Sequence, residues 1–297
     1  MPWKSFKLND GRHIPGIGFG SAGHLEDDTP GVIDMAIEVG FGHIDTAQMY
    51  RNEAGVGAAL AHTDTPRSHL WVTTKWSGYA SIPQSIDESL EKLKLDYVDL
   101  YLIHNDRITG GDIEGTWKEM EKVYKDGKAK SIGVSNYTID DLKRVLKIAK
   151  VKPVVNQILL HPTVYHSTKP LLEFMAEHDI LAEGYSPLKP LRDGTAPGLV
   201  KVVERIAEEK GCKPEGVLMA WSKAKGVLPI TTSSNKDRAA GYIAAGGIEL
   251  SKEDVLRIDE AGKKAADVQE RRGKMLAMGK GIGACVAVLY MGWRVLA

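Results

Sequence analysis

Short apolar runs alternate with longer segments of helical periodicity along most of the chain. The short runs are rich in branched and aromatic residues and predict eight strands, at residues 16–20, 43–45, 70–75, 97–104, 129–134, 154–160, 180–185 and 227–231. Segments between them, among them 29–39, 82–93 and 140–150, carry apolar residues at the spacing of one helix face. Strands that alternate with helices indicate βαβ units and a parallel sheet.

The predicted strands are apolar on both faces, as the run from Tyr97 to Ile103 illustrates. A parallel sheet that is covered by helices on both sides produces this pattern. Eight such units in 297 residues favour a single closed (β/α)8 TIM barrel over an open sheet. Ahead of them, Asp10-Gly11 separates two short strand-like segments and predicts an N-terminal β-hairpin with a two-residue turn. We assign residues 1–270 to the barrel.

The composition excludes several classes of function but does not identify the function. The 39 Lys and Arg residues balance the 39 Asp and Glu residues, so the net charge gives no support for binding to nucleic acid. The two cysteines, Cys212 and Cys285, build no disulfide framework, and no histidines stand at metal-ligand spacing beside them. Because the start of the chain also lacks the apolar core of a signal peptide, we expect a cytoplasmic protein without a bound metal.

A basic and apolar tail, residues 271–297, follows the predicted barrel. Arg271, Arg272 and Lys274 precede the run 281–297, whose one charged residue is Arg294. This run is at the short limit for a membrane span. Three interpretations stay open: an extra helix packed on the barrel or on a second chain, a C-terminal membrane anchor with basic flanks, and a disordered tail.

The segment from Gly18 to Gly23 formally matches the G-x-G-x-x-G pattern of dinucleotide-binding folds. That fold needs a helix directly after the glycines and an acidic residue at the end of the next strand. Asp45 meets the second condition, but Pro30 and the residues before it place the helix start later. A glycine-rich loop after the first strand of a barrel is therefore the favoured interpretation.

The carboxyl ends of the predicted strands are unusually polar. In a (β/α)8 barrel the functional site is built from residues at these ends, which all lie on one rim. From the second strand to the eighth, the polar residues at or near these ends are Asp45, Tyr50, Lys75, His104, Ser135, Asn136, Gln157, Tyr185, Ser186 and the segment Thr231, Thr232, Ser233, Ser234, Asn235.

Asp45, Tyr50, Lys75 and His104 together form a coherent acid–base group. A tyrosine alone holds its proton too tightly at neutral pH, and a neighbouring ammonium lowers its pKa. A paired aspartate keeps a buried lysine charged, and a histidine N–H can hold a carbonyl oxygen beside the phenol. Such a site protonates a developing alkoxide, which is half of a carbonyl reduction. The other half is a hydride, which requires a nicotinamide.

Several motifs, in order along the chain, are similar to those of the aldo-keto reductase family. They are residues 36–47 followed by Tyr50, then 95–104, 127–137, 156–162 and 184–188. The resemblance covers roughly residues 5–260. It implies NADPH-dependent reduction of a small-molecule aldehyde or ketone on a (β/α)8 barrel.

The resemblance also implies roles for individual residues. Tyr50 corresponds to the general acid, Lys75 and Asp45 to the residues that tune it, and His104 to the residue that orients the carbonyl. Arg238 corresponds to the residue that grips the 2′-phosphate of NADPH. The full cofactor-binding set that the resemblance implies is Gly20, Ser21, Asp45, Ser135, Asn136, Gln157, Tyr185, Ser186, Leu188, Thr231, Thr232, Ser233, Ser234, Asn235 and Arg238.

The chain departs from the family pattern at positions near the predicted site. Thr231-Thr232-Ser233 stands where many members have Pro-Lys-Ser, Asn105 replaces a common aromatic residue, and the usual closing C-terminal loop is not recognisable. Substrate choice depends on such loops. Two alternatives remain at this stage. One is a non-catalytic nucleotide-binding barrel that acts as a sensor or regulatory subunit, and the other is an aldolase-type barrel in which Lys75 forms a Schiff base.

Overall fold

A closed barrel of eight parallel strands forms the centre of the molecule. The computed structural model describes residues 2–271, so the tail hypothesis for 281–297 lies outside the described residues. Two short strands precede the barrel, and the strands are β1 (Phe6–Lys7), β2 (His13–Ile14), β3 (Gly18–Gly20), β4 (His43–Asp45), β5 (Trp71–Trp76), β6 (Val98–Ile103), β7 (Ala129–Ser135), β8 (Val155–Leu159), β9 (Leu181–Tyr185) and β10 (Leu228–Thr231). The barrel closes in the order β3 to β10, with β10 beside β3.

Helices surround the barrel and return the chain to the amino end of each next strand. They are α1 (Thr29–Glu38), α2 (Glu53–His62), α3 (Ile82–Leu93), α4 (Ile113–Lys125), α5 (Ile139–Ile148), α6 (Pro162–Glu177), α7 (Lys189–Arg192), α8 (Pro197–Lys210), α9 (Pro214–Ala224) and α10 (Lys236–Ala244). A final helix includes residues 252–271. Among residues 2–271, no helix combines the length and the apolar character that crossing a membrane requires. The predicted (β/α)8 architecture is confirmed, and the closed sheet excludes the dinucleotide-binding fold.

The strands bury their two faces in two separate apolar layers. On β6, Leu100 and Leu102 point into the barrel, while Tyr101 and Ile103 pack against the surrounding helices. This alternation follows from the period of two in a strand and explains why the whole run reads as apolar. Apolar side chains fill the part of the barrel interior nearest the amino ends of the strands. The polar residues lie in the part nearest the carboxyl ends.

The N-terminal hairpin seals the amino end of the barrel. Its strands pair antiparallel, with Phe6 opposite Ile14 and Lys7 opposite His13, so residues 8–12 form the connection. The predicted two-residue turn is therefore wrong. The Leu8 N–H donates to the Arg12 carbonyl at 2.8 Å, and Gly11, with φ of 87°, adds a third residue to the turn between them. The Ser131 hydroxyl donates to the Asp10 carboxylate at 2.6 Å and holds the turn on the barrel. At the opposite, carboxyl end of the barrel a cavity opens.

Candidate active site

A cavity of about 500 Å³ opens at the carboxyl ends of the barrel strands. It brings together side chains from six of the strand ends on which the sequence placed polar candidates, together with the loop after β9. The predicted site residues that line it are Gly20, Asp45, Tyr50, His104, Ser135, Asn136, Gln157, Tyr185, Ser186, Leu188, Thr231 and Thr232. Lys75 lies directly beneath, with no exposed surface.

The Lys75 ammonium sits at the centre of a buried polar cluster. Its Nζ donates to Asp45 Oδ1 at 2.5 Å, to the Thr46 carbonyl at 2.9 Å and to Tyr50 Oη at 3.4 Å. Neighbouring strands produce this arrangement, because Asp45 on β4 is in register with Thr73 on β5, two residues before Lys75. Burial alone lowers the pKa of Lys75, but Asp45 and Tyr50 outweigh burial and raise it. The lysine is therefore held as an ammonium.

The protonated lysine argues against the aldolase-type alternative. A Schiff base forms only from a neutral amine that can reach its carbonyl. Lys75 is fully buried and charged, and its three N–H groups are committed to Asp45, Thr46 and Tyr50. The ammonium instead supports the phenol beside it.

Tyr50 faces the cavity from the short 3-10 helix after β4. Burial raises the pKa of Tyr50 above its ordinary value, and the ammonium of Lys75 acts in the opposite direction. The effect of Lys75 is the one that the sequence predicts, but burial is the larger effect and Asp45 adds to it. Since Lys75 donates to Oη, the phenol keeps its own proton for an acceptor in the cavity.

His104 lies edge-on to Tyr50, with the ring centroids 5.6 Å apart. Burial, followed by the positive charge of Lys75, lowers the pKa of His104 to about 4, so the imidazole is neutral near pH 7. Its Nδ1 lies 3.3 Å from the hydroxyl of Ser77. A hydroxyl that donates to Nδ1 leaves the proton on Nε2. His104 then offers a neutral N–H donor to a ligand.

A second polar wall of the cavity is formed by Asn136 and Tyr185. Asn136 adopts a left-handed backbone with φ of 59°, a conformation that asparagine tolerates better than most residues. Its amide nitrogen donates to the His104 carbonyl at 3.1 Å, and its oxygen accepts from the Tyr185 hydroxyl at 2.9 Å. The Tyr185 ring is thereby fixed at the side of the cavity.

Other predicted cofactor residues lie outside this cavity. Ser21 is buried beneath it, and its hydroxyl contacts Thr46 and Asn52. Ser233 accepts from the backbone of Asn235, whose own side chain caps α10 by accepting from the Arg238 N–H at 2.9 Å. Arg238 lines a separate cavity of about 280 Å³ between α9 and α10, and Ser234 is exposed. The binding roles of these residues stay predictions.

Sequence reasoning missed several residues that the fold brings to the site. Ser77 contacts His104, and His24 reaches from the loop after β3 to the Thr232 hydroxyl at 2.8 Å. Lys189 and Arg192 add two cations to the cavity wall. Glu183 lies fully buried in the barrel interior. Only Glu183 carried a usable signal, an acid inside an apolar strand run, because such a residue needs a partner.

Known proteins match this chain over the elements that build the cavity. The family model described as the Aldo/keto reductase family matches residues 17–263. An NADPH-dependent alpha-keto amide reductase of Saccharomyces cerevisiae is 38% identical over 281 residues, covering 86% of this chain and 90% of that protein. An NAD/NADP-dependent indole-3-acetaldehyde reductase of Schizosaccharomyces pombe is 38% identical over 263 residues, covering 84% and 90%. The crystal structure of an aldo/keto reductase from Brucella melitensis matches with a TM-score of 0.79 at 35% identity, covering 87% of this chain and 99% of that one.

Proposed function

The chain belongs to the aldo/keto reductase family of oxidoreductases, and from this premise we propose that it reduces an aldehyde or an activated ketone to the alcohol with NADPH, with Tyr50 as the general acid. The observation that carries the proposal is the contact of the Lys75 ammonium with Tyr50 Oη beneath a cavity that Tyr50 and His104 both face. The yeast relative is named as an NADPH-dependent reductase of a carbonyl compound, which supports the same chemistry here.

The residues divide the proton chemistry between them. The neutral imidazole of His104 donates to the carbonyl oxygen and holds it beside Tyr50. A bound NADPH supplies the hydride that reduces the carbonyl carbon. Tyr50 transfers its proton to the oxygen, so the alcohol gains one hydride and one proton and the phenol becomes a phenolate. The Lys75 ammonium stabilises that phenolate until it takes up a proton from water.

The cavity fits a nicotinamide nucleotide on three observations. Its polar wall carries the hydroxyl of Ser135 and the amide of Gln157, groups that suit a carboxamide. The ring of Tyr185 lies on the same wall and offers an aromatic surface for stacking. Lys189 and Arg192 bring positive charge to the mouth, as an anionic cofactor requires.

An assay with a panel of aldehydes, α-keto esters and α-keto amides tests the proposal. The loss of NADPH absorbance is followed with each carbonyl, and the alcohol product is identified to confirm the stoichiometry. We expect turnover with activated carbonyls and none without a carbonyl. Nucleotide binding without turnover on any compound of the panel would instead support the sensor or regulatory alternative.

Arg238 tests the preference for NADPH. The residue is exposed at the start of α10 and lines the cavity between α9 and α10, while the neighbouring cation Lys236 is paired with Glu38. One charge-assisted contact to a 2′-phosphate is worth about 1.5–3 kcal/mol. Arg238→Ala should therefore weaken NADPH binding roughly ten- to a hundredfold and leave NADH binding nearly unchanged.

Dissociation constants for both nucleotides, measured by quenching of tryptophan fluorescence, check this prediction. The matched control is Arg205→Ala, which removes an exposed arginine that lines a different groove, on α8. An equal effect of Arg238→Ala on NADPH and NADH would remove the 2′-phosphate role. The Schizosaccharomyces pombe relative is named for both NAD and NADP, so the strictness of this preference is decided by measurement on this chain.

A further inference from the structure

A buried carboxyl group lies on the side of the barrel interior opposite the Asp45–Lys75 pair. Glu183 on β9 is in register with Gln157 on β8, while Asp45 is on β4, the strand that faces β8 across the barrel. The Gln157 Nε2 donates to Asp45 Oδ2 and to Glu183 Oε2, each at 2.8 Å. This amide nitrogen therefore connects Glu183 to the hydrogen-bonded cluster of Asp45, Lys75 and Tyr50.

These contacts fix the orientation of the Gln157 amide. Both of its N–H groups are committed to carboxyl oxygens, and the reverse orientation would set the amide oxygen against both carboxyl groups. The amide oxygen is then left to accept a hydrogen bond in the cavity that Gln157 lines. A carboxamide NH₂ is a group that such an acceptor recognises.

Glu183 is poorly placed to carry a charge. It has no exposed surface, its Oε1 has no hydrogen-bond partner among the described residues, and Leu228 flanks it on β10. Burial, followed by the negative charge of Asp45, raises the pKa of Glu183 to about 8. Among the described residues, Lys75, which stays an ammonium, and His43, whose pKa burial lowers to about 3, also face this interior. Asp45, Tyr50 and Tyr185 line the cavity above them.

We propose that Glu183 is a positioning residue of the reductase site: through Gln157 it orients the amide that meets the nicotinamide carboxamide, and its charge state controls how firmly Tyr50 holds its proton. The inference rests on the proposed function and names a residue that acts through Gln157 and Asp45. Glu183 is neutral around pH 7 and becomes an anion above pH 8.

The sign of the pH effect follows from charge. When Glu183 ionises, a second negative charge, bridged to Asp45 by the Gln157 amide nitrogen, disfavours the Tyr50 phenolate, so Tyr50 retains its proton to higher pH. Reduction needs the protonated phenol, and alcohol oxidation needs the phenolate. Glu183 thus extends the alkaline range of reduction and shifts the rise of oxidation to higher pH.

Two variants separate the two parts of the proposal. E183Q keeps an acceptor oxygen for Gln157 but cannot ionise, so the alkaline limb of reduction should move to lower pH by about half to one unit while NADPH affinity stays the same. E183L removes the acceptor as well, so it should show the same limb shift and bind NADPH about two- to tenfold more weakly. Single-turnover hydride transfer is measured with prebound NADPH for reduction and with prebound NADP+ for alcohol oxidation, from about pH 6 to about pH 11.

Glu53→Gln is the matched control, because Glu53 is also a buried glutamate of raised pKa but lies on α2, where its carboxylate accepts from Thr74. Its alkaline limb should coincide with that of the wild type. If E183Q were slower than the wild type but its pH profiles for reduction and for oxidation were not shifted, Glu183 would have only a packing role. That result would overturn the inference.

A readout without turnover keeps this inference separate from the proposed function. Infrared difference spectra of the wild type, taken well below and well above pH 8, should contain the carbonyl band of a protonated carboxylic acid that E183Q lacks. The absence of this band overturns the inference even if the enzyme is active. Its presence in a chain that reduces no carbonyl would overturn the proposed function and leave the buried acid in place.

Discussion

Tyr50→Phe should lower the rate of carbonyl reduction by about 10²- to 10⁴-fold. The substitution keeps the aromatic ring that packs edge-on against His104 and removes the hydroxyl that receives the Lys75 N–H. Without the phenol, no group at this position can protonate the developing alkoxide. Single-turnover rates with a saturating carbonyl measure the effect, and NADPH affinity should barely change because the phenol does not hold the nucleotide.

Tyr101→Phe is the matched control. Tyr101 is also a fully buried tyrosine, but its hydroxyl has no hydrogen-bond partner among the described residues and its ring packs between the barrel and the helices. We expect near wild-type turnover for this variant. If Tyr50→Phe retained more than about a tenth of the wild-type rate, Tyr50 would not be the general acid.

The sequence predicts the barrel well because its burial pattern is local. An uninterrupted apolar run indicates a strand that is covered on both faces. The helix predicted at 82–93 is observed at Ile82–Leu93. The helix predicted from residue 140 begins at Ile139, because Thr138 and Asp141 form a reciprocal cap at its start. The predicted two-residue hairpin turn is wrong, since Gly11 adopts φ of 87° and adds a third residue between the hydrogen-bonded Leu8 and Arg12.

The sequence predicts those contacts of the site that follow from the order of the strands, and not those that cross the barrel. Asp45 and Lys75 stand on consecutive strands, so the fold class alone places them side by side. The contact between Gln157 and Asp45 joins residues 112 positions apart across the barrel, and no spacing rule indicates it. The net rise in the Tyr50 pKa was also beyond sequence reasoning, because it depends on how completely the ring is buried.

Lys75→Met should abolish turnover, and Asp45→Asn should reduce it strongly. Both residues act on one phenol, since Asp45 holds the ammonium that contacts Tyr50 Oη. Once Lys75 is lost, Asp45 has nothing left to position for catalysis. The double variant should therefore be about as slow as Lys75→Met alone, and the two losses should be far from additive in a double-mutant cycle.

The stability of the same variants is a second, independent measurement for the double-mutant cycle of Asp45 and Lys75. Removing one partner of a buried ion pair leaves an uncompensated charge and costs about 3–5 kcal/mol, so Lys75→Met should unfold at lower denaturant concentration than the wild type. Replacing Asp45 by Asn in addition removes the stranded carboxylate, and stability should partly recover while activity does not. Denaturant midpoints and single-turnover rates on the same four proteins separate the two effects. Additive losses in both measurements would show that Asp45 and Lys75 act independently, which contradicts a site built around one shared ammonium.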